Sequence, residues 1–341
     1  MEKTPADCDF NPGCLDAFLR QALPNLSGPM TLQRISGGQS NPSYFVSYGN
    51  RRLVLRKRPA GPVLPSAHAI DREYRIMGAL ADTGVPVPPV VLYHEDTDVI
   101  GTAFYLMERV EGRVFQDCTL PGVAPDDRRS MYMAMADALA ALHRVDWQAA
   151  GLADFGRPHD YFERQIARWT RQWHSSKTRE LPDLERLVEW LPRHIPGGCA
   201  TAIAHGDFRI GNLMFHPTQP RIVAVLDWEL STLGHPLADL AYSALAWRLR
   251  PDEYMGMRGQ DLLSLGIPSE QEYVQRYCSK AHFGDLEPFH FAFALFRLAV
   301  IFEGIAARAK AGTAASSNAG TVGQLSPVFA RRAIELIHEN R

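Results

Sequence analysis

IAHGDFRIGNLMFHPTQPRIVAVLDWELSTLGHPLADL, residues 203–240, alternates short apolar runs with acids and an asparagine in an order that constrains where those side chains meet. The apolar lead-in Thr201–Ala204 runs into His205-Gly206-Asp207, where glycine permits a sharp turn and the aspartate projects from it. Asn212 follows five residues later, near enough to loop back beside Asp207. Leu213-Met214-Phe215 is predicted as a strand, His216 to Pro220 as a turn, and Arg221–Leu226 as a second strand rich in β-branched residues. Such a hairpin returns Asp227 to the Asn212 end, although fifteen positions separate the two.

A carboxylate, an amide oxygen and a second carboxylate brought together in this way suit phosphoryl transfer from a nucleotide. That reaction is mostly positioning and charge neutralisation, and it needs a carboxylate facing the attacking hydroxyl and oxygen ligands for Mg²⁺. Asp207 is therefore the candidate catalytic residue, and Asn212 and Asp227 the candidate metal ligands. Taken singly, an Asp, Asn or His in a loop is more often a turn former or cap. The ordered spacing and the hairpin are what give the set its weight.

The order H-x-D-x-x-x-x-N, hairpin, Asp matches the catalytic loop and metal-binding Asp of protein kinases, with two departures. Gly206 stands where Arg is usual, and Trp228-Glu229 follow the Asp in place of Phe-Gly. HGDxxxxN with a downstream DWE, then G-x-P-x-x-D-L-A from Gly234 to Ala241, resembles the aminoglycoside phosphotransferase and choline kinase-like families. Within them it is most similar to the subgroup whose kinase-like domain is fused to acyl-CoA dehydrogenases in some animals. The likeness runs from about Leu32 to the final helix. It implies an α+β, bilobal protein kinase-like fold, with a small antiparallel-sheet N-lobe carrying a helix and a larger, mainly helical C-lobe. It also implies ATP and Mg²⁺ as cofactors and a small-molecule hydroxyl as acceptor, a hydroxyacyl-CoA or another hydroxy metabolite. Residues 1–27 are expected as an N-terminal extension with a short helix, 28–108 as a nucleotide-binding lobe, and 109–341 as the catalytic, substrate-binding lobe.

The same resemblance assigns roles further up the chain. Met30–Ile35, Ser36 to Asn41 and Tyr44–Tyr48 read as strand, small-residue turn, strand, so Gly37, Gly38, Gln39 and Ser40 are placed over nucleotide phosphates. A Gly-Gly turn by itself only connects strands, and this one is not a Walker A loop. In RLVLRKR, residues 52–58, Arg56 resembles the phosphate-holding cation, and Lys57 is its competitor on the opposite face of the strand. The alternative is a solvated basic edge. Glu73 lies off the apolar stripe Ile70, Tyr74, Met77, Leu80 of a helix predicted over Ser66–Leu80, and is the candidate partner of Arg56. Met107 to Gly112 resembles the hinge that holds an adenine ring through its backbone, at Glu108 and Val110. Asp239 is expected to buttress the catalytic loop or to cap a helix over Leu240–Leu249, and His205 to orient the loop. Trp228 and Glu229 are candidates for touching substrate or metal.

Composition bounds the partners. In 341 residues with 46% apolar content there is ample core for one bilobal unit or two domains. A net charge of −2 gives no general pull toward nucleic acid or an anionic membrane. Cys8, Cys14, Cys118, Cys199 and Cys278 form no C-x-x-C pair, the histidines show no zinc spacing, and the opening MEKTPADCDFNPGC has no apolar signal core, so a reducing cytoplasm is the expected compartment. The apolar run Phe289–Ile305 is broken by His290, Arg297 and Glu303 and is expected to be a buried helix. Oligomeric state is not legible.

The remaining segments read as helices: Cys14–Leu23, Asp126 to His143, Tyr161–His174, Leu184–His194, Tyr273–His282, Pro288–Lys310 and Ser326–Asn340. Strands are expected over Val90–His94 and Thr102–Met107, and a flexible loop over Gly312–Gly323. Tyr161, Phe162, Trp169 and Trp173 either line a substrate cleft or pack in the core, as their helical spacing favours. His143 reads as a capping or packing residue. Two other functions compete: a catalytically weak nucleotide-binding module, suggested by Arg56 where most kinases have Lys, and a protein kinase, disfavoured by the lack of an activation segment after Asp227.

Overall fold

The computed structural model describes residues 8–35, 41–59, 69–198, 200–312 and 319–339. The chain divides into two compact units, Met1–Glu111 with Val223–Glu229, and Gly112–Ile222 with Leu230–Arg341. The first unit therefore ends three residues beyond the expected 28–108 boundary and borrows a later segment. Val225 N–H donates to Pro86 O at 2.8 Å, tying that segment in.

In the first unit β1 (Thr31–Arg34), β2 (Ser43–Ser47), β3 (Arg52–Lys57), β4 (Val90–His94) and β5 (Phe104–Glu108) form one sheet in the order β1-β2-β3-β5-β4. The pairings are antiparallel, with a register shift between Val90 and Leu92. β3 lies at the centre, so both of its edges are paired. Leu53 and Leu55 join Tyr44, Val46, Phe104 and Leu106 in a core closed by Leu15 and Leu19 of α1 (Pro12–Ala22) and by Leu23 just past its end. Of the expected N-terminal extension, the described part from residue 8 on packs into this unit through α1. α1 starts two residues before the expected Cys14 because the Asn11 side chain accepts the Gly13 N–H at 2.9 Å and Pro12 needs no partner for its nitrogen. α2 (Ile70–Leu80) packs on β4 and β5. The expected start of this helix at Ser66, and the turn residues Gly37, Gly38, Gln39 and Ser40, lie outside the described residues.

In the second unit β6 (Arg113–Val114) pairs with β8 (Leu213–Phe215), and β7 (Ala202–Ala204) pairs with β10 (Thr232–Gly234). The turn after β8 is closed by His216 N–H to Arg221 O at 2.8 Å, and β9 (Ile222–Val225), which belongs to the first unit from Val223 on, follows it. The rest is helical: α3 (Pro125–His143), α4 (Tyr161–Ser176), α5 (Pro182–Trp190), α6 (Pro236–Arg248), α7 (Leu262–Leu265), α8 (Glu270–Cys278), α9 (Pro288–Lys310), α10 (Ala319–Val322) and α11 (Ser326–Glu339). α9 is long and apolar enough to cross a membrane, but 83% of its most apolar window is buried inside the chain against α4, α6 and α11.

Several boundaries differ from the sequence reading for local reasons. α6 begins at Pro236 because the His235 side chain caps it, so Asp239 sits inside the helix rather than at its cap. α8 begins at Glu270 behind a Ser269/Glu272 capping box, and α5 gives way to a 3₁₀ turn at Leu191. Thr232–Gly234 forms a short strand, and the far end of the expected Gly312–Gly323 loop is helical from Ala319. Gly234 is confined there by packing: a Cβ would meet the Tyr161 ring at 2.6 Å.

Candidate active site

In the second unit the loop after β7 is built around Asp239. Its Oδ2 accepts the His205 N–H at 2.5 Å, its Oδ1 accepts the Gly206 N–H at 2.9 Å, and His143 Nε2 lies 3.5 Å from Oδ2. Asp239 is fully buried. Burial alone would raise its pKa, but the His143 hydrogen bond, the charges of His143 and His205 and the Gly206 N–H hold it below the usual carboxylate range. Gly206 has φ 85° and no room for a side chain, since a Cβ would stand 2.8 Å from Leu230 O. That conformation turns the next residue outward. His205 is buried, and its Nδ1 accepts the Asp207 N–H at 3.2 Å.

Asp207 is held at both carboxylate oxygens. Oδ2 accepts Asn212 Nδ2 at 2.7 Å and Arg209 Nε at 3.3 Å, and Oδ1 accepts the Tyr242 hydroxyl in a short bond. Asn212 Nδ2 also donates to the Asp207 carbonyl at 2.8 Å, so the nitrogen side of this amide is used and its Oδ1 is the face left for a cation. Burial and the neighbouring Asp207 charge push the Tyr242 phenol well above its ordinary pKa, so it remains a donor. Burial disfavours the Arg209 charge, but Asp207 outweighs it and raises the pKa. Beside this carboxylate lies a narrow cleft lined by Met135, Arg209, Tyr242, Tyr254, Met255 and Leu298, among others. Tyr254 and Met255 carry φ of 76° and 50°, a strained pair on the cleft wall.

In the first unit the cluster is centred on Arg56. Its Nε lies 2.8 Å from Glu73 Oε2, a close charge contact without hydrogen-bond alignment. Its Nη2 lies 3.2 Å from Asp227 Oδ1 and 3.8 Å from Glu229 Oε2. Burial works against this cation, and Glu73, Tyr105, Asp227 and Glu229 more than compensate, holding its pKa above the ordinary value. Glu73 is itself fixed by Asn41 Nδ2 at 2.7 Å and Tyr105 OH at 3.0 Å. Lys57 is not part of the cluster. Strand alternation sends it with Leu53 and Leu55 to the other face, where it is buried against Asp9 Oδ2 at 2.7 Å.

Asp227 has φ 65°, and the indole of the next residue, Trp228, is buried with its N–H on Val225 O at 3.0 Å. Trp228 therefore packs inside, which argues against its expected substrate or metal contact. At the hinge, the Glu108 carboxylate pairs with Arg51 at 2.6 Å, and the Val110 N–H donates to no protein group among the described residues.

Arg209, Tyr242, Asn41 and Tyr105 were not anticipated from the sequence. Tyr242 had a signal, since it lies three residues after Asp239 on the same helical face. Tyr105 had none, because its place opposite Arg56 is set by the β3 to β5 register.

Two histidines, His290 buried and His235 half-buried, predict a pH dependence. His235 and His290 stack with ring centroids 5.9 Å apart; His290 meets Phe162 edge-on and His235 lies tilted against the same ring. Burial, reinforced by His143 for His235 and by His235 for His290, lowers both pKa values to about 4. The unfolded chain takes up these protons near pH 6.5 while the folded chain excludes them until about pH 4. Stability from this pair is therefore fully present above pH 6.5 and is lost as pH falls toward 4. The melting temperature is expected to drop across that window, and His290→Phe is expected to flatten the drop; an unchanged slope would refute the assignment.

The fold has counterparts among known proteins. The profile of the phosphotransferase enzyme family matches residues 31–273. Acyl-CoA dehydrogenase family member 10 of Mus musculus is 46% identical over 325 residues, covering 94% of this chain, and this chain spans only 30% of that protein. A crystal structure of an aminoglycoside phosphotransferase-like protein from Ralstonia eutropha is 42% identical with a TM-score of 0.89, covering 97% of this chain and 99% of that one. At the level of fold alone, a thermostable aminoglycoside phosphotransferase APH(4)-Ia, solved in ternary complex with AMP-PNP and hygromycin B, is similar at 16% identity and a TM-score of 0.62 over 93% of this chain and 98% of that chain. The α+β architecture, the loop that Asp239 holds and the extent of these matches lead to one conclusion: the chain belongs to the phosphotransferase enzyme family.

Proposed function

We propose that the chain is an ATP- and Mg²⁺-dependent phosphotransferase that moves the γ-phosphoryl group to a hydroxyl of a small molecule. The observation that carries this reading is Asp207, an outward carboxylate gripped by Asn212, Arg209 and Tyr242 at the tip of a loop whose backbone is bonded to Asp239. The acceptor hydroxyl donates to Asp207, and its oxygen attacks the γ-phosphorus. A new P–O bond forms as the bond to the bridging oxygen of ADP breaks; the electron pair leaves with ADP and the proton passes to Asp207.

Asn212 in the second unit and Asp227 in the first each offer an oxygen of the kind a hard divalent cation takes, and Glu229 lies with Asp227 near Arg56. Magnesium, when bound, would supply neutralisation of the phosphate charge. Arg56, fixed by Glu73, supplies a second positive charge for the phosphates, and the Val110 N–H is a donor suited to an adenine ring. The nucleotide analogue in the APH(4)-Ia complex supports ATP as the donor. The dehydrogenase relatives support a hydroxyacyl-CoA or another hydroxy metabolite as acceptor.

Asp227→Ala tests the reading. Wild-type protein with ATP, Mg²⁺ and a panel of hydroxy acids, hydroxyacyl-CoAs, sugars and amino alcohols is expected to form ADP and a phosphorylated product, followed by ³¹P NMR. The variant is expected to lose Mg²⁺-dependent turnover by ~10²-fold or more. Normal turnover in the variant would sink the assignment of Asp227.

A further inference from the structure

Helix α9 buries a cation that phosphoryl transfer, as assigned above, does not use. Arg297 is 5% exposed. Its Nη2 donates to the Gly206 carbonyl at 3.0 Å, while its Nε and Nη1 are buried without an acceptor among the described residues. Among the described residues no carboxylate pairs with it; its guanidinium carbon instead faces the rings of Trp169, Phe293 and Tyr242 at 5.7, 5.9 and 6.0 Å from their centroids. The indole Nε1 of Trp169 is also buried without a partner among the described residues, and the same ring carries a second cation, Arg168, at 5.3 Å.

This arrangement is poor for the stability of the free chain. An uncompensated buried charge and orphaned donors are costly, and contacts with aromatic faces return only part of that cost. It is instead well suited to receiving an anion, because the donors are fixed in advance and no carboxylate competes for them. Its place is informative too. Arg297 is bonded to the residue before Asp207 and faces the ring of Tyr242, whose hydroxyl is bonded to Asp207. An anion held here would lie about one tyrosine's length from the catalytic carboxylate.

We propose that Arg297 and Trp169, with Arg168 at the rim, form an anion-recognition site for a carboxylate or phosphate carried by the acceptor. The acceptor is then a hydroxylated anion and not a polycation. This deepens, and rests on, the phosphotransferase reading.

The test reads binding directly. In full-length protein labelled with ¹⁵N at tryptophan, the Trp169 indole signal is identified by its loss in Trp169→Phe. The signal is then followed during titration with 3-hydroxybutyrate, with inorganic phosphate, and with neutral 1,3-butanediol. A saturable shift with either anion and none with butanediol is expected, the responding anion identifying the group recognised. Arg297→Met is expected to weaken that response at least tenfold; should it fail to fold, Arg297→Lys, which keeps the charge but not the fork of donors, is expected to weaken it as well. No shift with either anion, an equal shift with butanediol, or an undiminished response in the folded Arg297 variant would overturn the proposal. Because the signal needs no turnover, its failure leaves the phosphotransferase reading standing. An intact shift without transfer to any acceptor would count against that reading alone.

Discussion

Asp207→Asn is expected to lower phosphoryl transfer by ~10³-fold or more while leaving nucleotide binding within a few-fold of the wild type. The amide is nearly the same size, so Tyr242 can still donate to its oxygen. The side chain loses the charge that orients the acceptor hydroxyl, and it has no capacity to take the proton. It also sets an NH₂ group against Asn212 or Arg209, which now donate to a carboxylate oxygen at 2.7 and 3.3 Å. The loss belongs in kcat rather than in the KM for ATP, because the Arg56 cluster that would face the phosphates lies in the other compact unit of the chain. Steady-state kinetics with calorimetric titration of ATP separates the two effects. A variant retaining wild-type kcat would remove Asp207 from the reaction.

The largest stability effect is expected from Asp239→Ala. Asp239 is wholly buried and neutralises the donor ends of two successive backbone amides, His205 and Gly206, with His143 on its flank. Truncation orphans these donors in a dry environment, and removing one member of a buried charged network costs about 3–5 kcal/mol. The cavity left by the carboxylate adds to that cost. In a chain of this size the melting temperature should fall by roughly 5–15 °C, with activity falling further because the loop carrying Asp207 loses its anchor. Asp239→Asn, which keeps one acceptor, should lie between the variant and the wild type. Calorimetry across the series checks the order, and an Asp239→Ala protein as stable as the wild type would show that the loop is held elsewhere.

Much of the site was legible because kinase-like chemistry needs particular side chains at fixed chain distances. Asp207 and Asn212 are separated by one short loop, and a loop of that length brings them together whatever surrounds it. The link between Arg56 and Glu73 was legible for a related reason, since a strand followed by a helix packed on it leaves few places for an off-stripe acid. Strand parity separated Arg56 from Lys57 in principle. The structure supplied the reason for the choice, an Asp9 carboxylate waiting on the other face.

What the sequence by itself determined is the order of the candidate site: a carboxylate, an amide and a second carboxylate around a predicted hairpin, and with them the family. It did so because those spacings are local, and local geometry follows from chain length and turn residues. Tertiary structure alone decided which groups surround them. Tyr242 and Arg209 on the Asp207 carboxylate, Asn41 and Tyr105 on Glu73, and the unpaired Arg297 behind Gly206 all depend on helix packing and sheet register. Contacts between segments tens to hundreds of residues apart are set by how whole faces pack, and no spacing along the chain encodes them.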